Sequence, residues 1–171
     1  VPKYVTPDGR RPQASARASS ARRLTRVHQP GAPSSASPRR GALAIGKATD
    51  YVKTRQVWKT PIGAHQGISH PLAQNYIEIE LAKLMTQKAA TLYDSGDDGA
   101  AAEAANIAKY AAGEASVRAV DQAVQCLGGN GLTKEYGIAA AVTASRLARI
   151  APVSREMVLN FIAQTSLGLP R

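Results

Sequence analysis

From about Gly41 to Ile150 the chain shows no sustained apolar/polar alternation and no Asn-Gly turn between apolar runs, while alanine and aliphatic residues recur at steps of three and four. That spacing lays apolar groups on one side of a helix and excludes a sheet of any size. The clearest instance is "HQGISHPLAQNYIEIELAKLMTQKAATLYD", where Ile77, Leu81, Leu84, Lys88 and Leu92 form one stripe, expected to be buried. "GALAIGKATDYVKTRQVW" precedes it, with Leu43, Lys47, Asp50 and Thr54 on one face and Ala44, Ala48, Tyr51 and Arg55 beside it. Pro61 and Gly63 stop that helix. "SGDDG" at 95–99 is a turn that offers Asp97 and Asp98 as early anions to a third helix over about 99–127, on which Val117, Val120, Val124 and Leu127 fall in register. A fourth helix covers about 139–150, and Pro152 opens a fifth with Met157 and Phe161 facing inward. Helices of this length joined by short turns predict an all-α, up-and-down four-helix bundle with an extra C-terminal helix.

Residues 1–40 have a different texture. They carry nine Lys or Arg and one acid, net +8, whereas residues 41–171 carry 13 and 11, net +2, so most of the overall +10 lies in the tail. The tail is Arg, Ser, Ala and Pro, and its low apolar content predicts disorder. It reads as an out-of-frame product of GC-rich DNA, as a transit peptide, or as a nucleic-acid arm, in that order. The chain opens on Val1, without an initiator Met. Two domains follow, a disordered tail over 1–40 and a helical body over 41–171.

Cys126 is the single cysteine, which excludes an internal disulfide and fits a reducing, cytoplasmic location. His28, His65 and His70 have no partners at metal-ligand spacing, so no metal is assigned. No apolar run is long enough to span a bilayer.

"QCLGGNGLTKEY" places three glycines and an asparagine directly behind the third helix. Bare backbone there serves as a helix stop, a phosphate cradle, or both. Arg55 taken alone reads as a solvated cation at a helix end, and Gln66 and Gln125 as surface amides.

Two segments carry a resemblance. "YVKTRQVWKTPIGAHQ" resembles the Tyr-x-x-x-Arg-x-x-Phe-Gly-x-x-x-x-x-x-Gln segment of flavin-dependent acyl-CoA dehydrogenases, and "AVQCLGGNGLTKEY" resembles the Gln-x-x-Gly-Gly-Asn-Gly segment that follows it in that family. The similarity covers about 41–165 and implies the C-terminal helical domain, which in the family packs on a neighbouring subunit and holds FAD across the interface. It implies that Arg55 meets the flavin pyrophosphate and that Gln66 lies near the nucleotide end. Gln125, Gly128 and Gly129 would contact the ADP half, and Ser154 would stand in for a threonine that touches the cofactor. FAD is then the cofactor, acyl-CoA the substrate of the parent enzyme, and a homo-oligomer the assembly, with alanine-rich faces such as 100–115 available for the subunit contact.

The departures lie on the substrate side. The family's carboxylate base, in a Tyr-Glu-Gly-Thr stretch, aligns with Pro152 of "RIAPVSRE", and Glu156 follows one turn later. A base carried upstream, as in other members, would fall near Gln29. Phe-Gly is replaced by Trp58-Lys59, and an Arg-Asp pair by Thr143-Ala144. The catalytic residue is therefore unassigned. The family's N-terminal helical and middle β-domains are not in the sequence, and the expectation is a truncated or frame-disrupted fragment, inactive alone. The rival reading is a non-enzymatic helical interaction module with a basic nucleic-acid-binding arm.

Overall fold

A computed structural model describes the backbone of residues 33–170, with side chains from Ser37 onward. Its helices are α1 (Pro33–Thr54), α2 (Gln66–Asp94), α3 (Asp98–Leu127), α4 (Ala139–Leu147) and α5 (Arg155–Thr165). The predicted tail lies mostly outside the described residues, but α1 starts eight residues before the expected boundary at Gly41. Ser37, on that added stretch, is buried.

The two longest helices, α2 and α3, run about 45 Å each at 1.5 Å per residue and are joined by the three residues 95–97. Gly96 takes φ 83°, and Asp97 caps α3 by accepting a hydrogen bond from the Ala100 amide at 3.0 Å. Asp98, the first residue of α3, adds an anion to its positive end. Helix α3 is the centre of the bundle and packs against all four other helices. Its inner face is alanine: Ala101, Ala104, Ala105, Ala108, Ala112, Ala115, Ala119 and Ala123 are all buried. Small side chains bring the helix axes close. A Cβ on Gly41 of α1 would lie 3.2 Å from both Ile79 Cδ1 and Ser116 Cα, so α1, α2 and α3 meet at that glycine. The alanine-rich stretch expected to face another subunit is thus largely used inside the bundle.

The stripe expected to be buried on α2 is also turned around. Ile77, Leu81 and Leu84 are 56%, 60% and 60% exposed, while Ile79 is 1% exposed and Leu72, Asn75, Ala82 and Ala89 are buried with it. The buried set is offset from the stripe by two residues, about 200° around the helix, hence on the opposite face. Leu92 alone of the expected stripe packs partly inward, against Ala89, Ala104 and Ala105. Both faces of α2 are apolar, so periodicity locates a stripe without saying which one faces α3; the alanine surface of α3 selects the face with smaller groups. On α5 the inward residue is Val158, with Phe161 half-buried and Met157 exposed, one residue out of phase with expectation.

A two-stranded hairpin between α1 and α2 is the second departure. Gln56–Val57 pairs antiparallel with Thr60–Pro61, with Gln56 opposite Pro61 and Val57 opposite Thr60. The two turn residues, Trp58 and Lys59, have φ of 52° and 64°. A two-residue loop with both φ positive is a type I′ turn, whose usual sequence signal is Asn-Gly. Trp-Lys gives no such signal, which is why the hairpin is invisible in the sequence.

Candidate functional site

Helix α1 ends in a tight sequence of backbone bonds. The Arg55 amide donates to the Tyr51 carbonyl at 2.9 Å, and the Arg55 carbonyl accepts from the Ile62 amide at 2.8 Å, closing the base of the hairpin. The chain then turns back against α1 at Gly63, where a Cβ would meet the Val52 carbonyl oxygen and Cγ2 at 3.1 Å. Gln66 follows as the first residue of α2. Trp58 projects from the hairpin tip, 85% exposed, with its ring edge-on to His65 at 6.2 Å.

At the C-terminus of α3 two of the three glycines have a local structural reason. Gly128 takes φ 59° and ψ −135°, which ends the helix. A 3-10 turn over Gly128–Leu132 follows and folds back onto α3. A Cβ at Gly131 would lie 2.9 Å from Val124 Cα, so no side chain is tolerated there. Gly129 needs neither a left-handed φ nor close packing. A Cβ at Gly128 or Gly129 would meet nothing within 4 Å, so their backbone faces open space. The stretch is a helix stop that also leaves bare main chain at the surface. Beyond it, Glu135 has its carboxyl held below the usual range by its own backbone amide and then by the Thr133 hydroxyl.

These two segments meet. The Asn130 side-chain amide donates to the Tyr51 hydroxyl at 3.3 Å, Lys47 Nζ donates to the Tyr136 carbonyl at 2.8 Å, and the Tyr51 and Tyr136 rings stack edge to face at 5.9 Å. Because α1 and α3 both run antiparallel to α2, the end of α1, the start of α2 and the end of α3 share one end of the bundle. Val52, Leu72, Cys126, Leu127 and Ile138 belong to one core cluster beneath it. Arg55, Gln66, Gln125, Gly128 and Gly129 are all exposed at this end, and the Arg55 guanidinium has no partner among the described residues. Lys47, Tyr136 and Asn130, which hold the two segments together, went unassigned at the sequence level, although Asn130 sits inside the quoted glycine motif.

Ser154 is elsewhere. Its hydroxyl caps α5 by accepting from the Met157 amide at 3.3 Å, next to Arg155, which reaches Glu114 near the middle of α3. Glu114 precedes Gly128 by 14 residues, which is about 21 Å of helix. Pro152 and Glu156 are both exposed on this second region. Among the described residues no group of three or more His, Cys, Asp or Glu could hold a metal, and no helix is long and apolar enough to cross a membrane.

The sequence model of the family described as Acyl-CoA dehydrogenase, C-terminal domain, matches residues 34–167. Acyl-CoA dehydrogenase FadE12 of Mycobacterium tuberculosis is 79% identical over 131 residues, covering 77% of this chain and 34% of the relative. A 3-sulfinopropanoyl-CoA desulfinase of Paraburkholderia xenovorans is 34% identical over 125 residues, covering 73% of this chain and 31% of that one. Among solved structures, glutaryl-coenzyme A dehydrogenase in its glutaryl-CoA complex superposes with TM-score 0.78 and 26% identity over 94% of this chain and 40% of the other. Butyryl-CoA dehydrogenase from Megasphaera elsdenii gives 0.75 and 27% over 79% and 35%. The chain spans about a third of the length of the curated relatives it matches. With both sequence motifs at one end of an all-α bundle of this topology, the chain belongs to the acyl-CoA dehydrogenase family and corresponds to its C-terminal domain.

Proposed function

We propose that the bundle end carrying Arg55, Gln66, Gln125, Gly128 and Gly129 is the part of an FAD site that receives the pyrophosphate and ADP half of the cofactor. The observation that carries this is the Tyr51–Asn130 contact, which holds the Arg55 guanidinium, without a partner among the described residues, at the same end as an open glycine backbone. A guanidinium presents a planar fork of donors that suits a pyrophosphate, and exposed glycine N–H groups approach phosphate or ribose without a Cβ in the way. The residues present fit the group. Ser154, which caps α5 beside Glu114 about 20 Å along α3 from Gly128, would touch the cofactor only as part of a second surface.

FAD, when bound, supplies the hydride acceptor for α,β-dehydrogenation of an acyl-CoA thioester, the reaction we assign to the parent enzyme. This chain's share is binding and orientation. Pro152 has no proton-accepting group, and Glu156, on the exposed first turn of α5, is the nearest carboxylate in sequence to that aligned position. The exposed Ile77, Leu81 and Leu84 face offers an apolar surface for a homo-oligomer, in place of the alanine face used internally. A cytoplasmic location accords with the free, buried Cys126. The non-enzymatic module with a nucleic-acid-binding arm is not favoured, since the helical body matches the dehydrogenase family model and its relatives along most of its length.

Titrating FAD into the isotope-labelled chain and following amide resonances tests the assignment. Weak binding is expected, with shifts concentrated at residues 55, 66 and 125–131, and weakened several-fold by Arg55→Gln. Shifts located elsewhere, or affinity untouched by Arg55→Gln, would overturn it.

A further inference from the structure

Midway along α3, far from the glycine end, the structure collects cations around one carboxylate. Glu114, with its side chain 8% exposed, accepts from Arg149 at 2.7 Å and lies 3.8 Å from Arg155 and 3.5 Å from Arg118. Arg118 is compensated separately by Glu78 at 2.8 Å. Lys109, one turn before Gly113 on the same helix, donates its ammonium to the Ala148 carbonyl, a neutral acceptor. Arg149 and Arg155 therefore share the single charge of Glu114, while Lys109, beside them, has only a neutral acceptor among the described residues.

These groups line a small, half-open cleft between α3 and the segment 148–158, with Tyr110, Gly113 and Val158 completing its wall. Its interior, about 10 Å³, has room for a single water-sized atom. Arg149 Nε is buried there without a hydrogen-bond partner, and Arg155 lies over the Tyr110 ring at 6.0 Å. Burial also holds the Lys109 amine below the usual lysine range, because desolvation penalises its charged form. A buried donor without a partner costs stability, and an anion oxygen entering the cleft would satisfy Arg149 Nε.

We propose that this cleft is an oxyanion site, with Lys109, Arg149 and Arg155 as binding groups and Glu114 as the hub that holds the arginines in place. The ligand is a carboxylate, sulfate or phosphate that inserts one oxygen into the enclosed part and leaves the rest at the mouth. Glu114 limits the site to weak binding by repelling the same anion it prepares the arginines for. The assignment is independent of the FAD reading, because it uses none of the residues at the glycine end.

The test is calorimetric titration of the full chain with sodium sulfate at constant ionic strength, chloride being the reference, and a parallel arm with acetate. Saturable sulfate or acetate binding is expected, reduced about tenfold by Arg155→Gln, which removes one charge-assisted bond from a partly exposed position. Lys109→Gln should weaken it similarly, and Arg146→Gln, on α4 outside the cleft, should leave it unchanged. Tighter sulfate assigns the site to a free tetrahedral anion, and tighter acetate to a carboxylate carried on a larger molecule. Absence of saturable binding for both anions, or equal loss with Arg146→Gln, would show that the cluster is a structural hub only.

Discussion

Replacing Ile79 and Leu81 separately by alanine tests the orientation of α2, because the two residues are two positions apart and face opposite ways. Each change removes three carbons. At about 0.8 kcal/mol per buried methylene, Ile79, which is 1% exposed, loses about 2.4 kcal/mol of transfer energy. A cavity against Gly41, Ser116 and Ala119 raises that to about 3–4 kcal/mol, since backbone on two helices cannot collapse into it. Leu81 keeps 60% of its surface in water and leaves no enclosed void, so its loss is under about 1 kcal/mol, partly offset by the better helix propensity of alanine. Urea unfolding at low protein concentration should move the midpoint by about 1.5–2 M for Ile79→Ala and by less than about 0.5 M for Leu81→Ala, taking a slope near 2 kcal/mol/M. A larger loss for Leu81→Ala than for Ile79→Ala at low concentration would mean that α2 is turned by half a rotation, and equal losses at every concentration would mean that neither face is preferentially buried; either result refutes the packing argument. A Leu81 effect that emerges only as concentration rises is the signature expected if that face mediates self-association.

Three further outcomes follow from the same geometry. Lys59→Gly, at φ 64°, should stabilise the hairpin by about 1 kcal/mol and slow exchange of the Ile62 amide about fivefold, whereas Lys59→Ala should not. Lys109 has a folded pKa below its unfolded value, so the unfolded chain binds more protons between the two and stability rises with pH across that window. Below both values the penalty is fully present, and Lys109→Met should remove the slope in a difference measurement against wild type. Burial raises the Cys126 thiol pKa, with the Gln122 amide at 3.4 Å opposing it, so alkylation at mildly alkaline pH should be slow in the native chain and fast after unfolding.

The helical class and the glycine stop were legible in the sequence, since helical spacing, the "SGDDG" turn and the Gly128 stop are local properties that the backbone must honour wherever the helix docks. The site residues were legible only as types: a guanidinium, amides and bare glycines in two separated segments. Their assembly at one end depends on α1 and α3 running parallel, which Tyr51 and Asn130 register across 79 positions of chain. The start of α1 at Pro33 was hidden because Arg, Ser, Ala and Pro resemble a tail until Ser37 is buried against neighbours.

Sequence alone determined that this chain would be helical, where α3 would stop, and which family it resembles, because each depends on spacing along one segment. Tertiary structure decided which face of α2 is inside, whether the alanines of α3 face inward, and that Trp58 and Lys59 take left-handed conformations. It also gathered three cations around Glu114. Those outcomes depend on what the opposing surface presents: a helix with two apolar faces buries the one that fits an alanine surface, and a turn adopts unfavourable φ values where strand pairing and the tight return at Gly63 hold it.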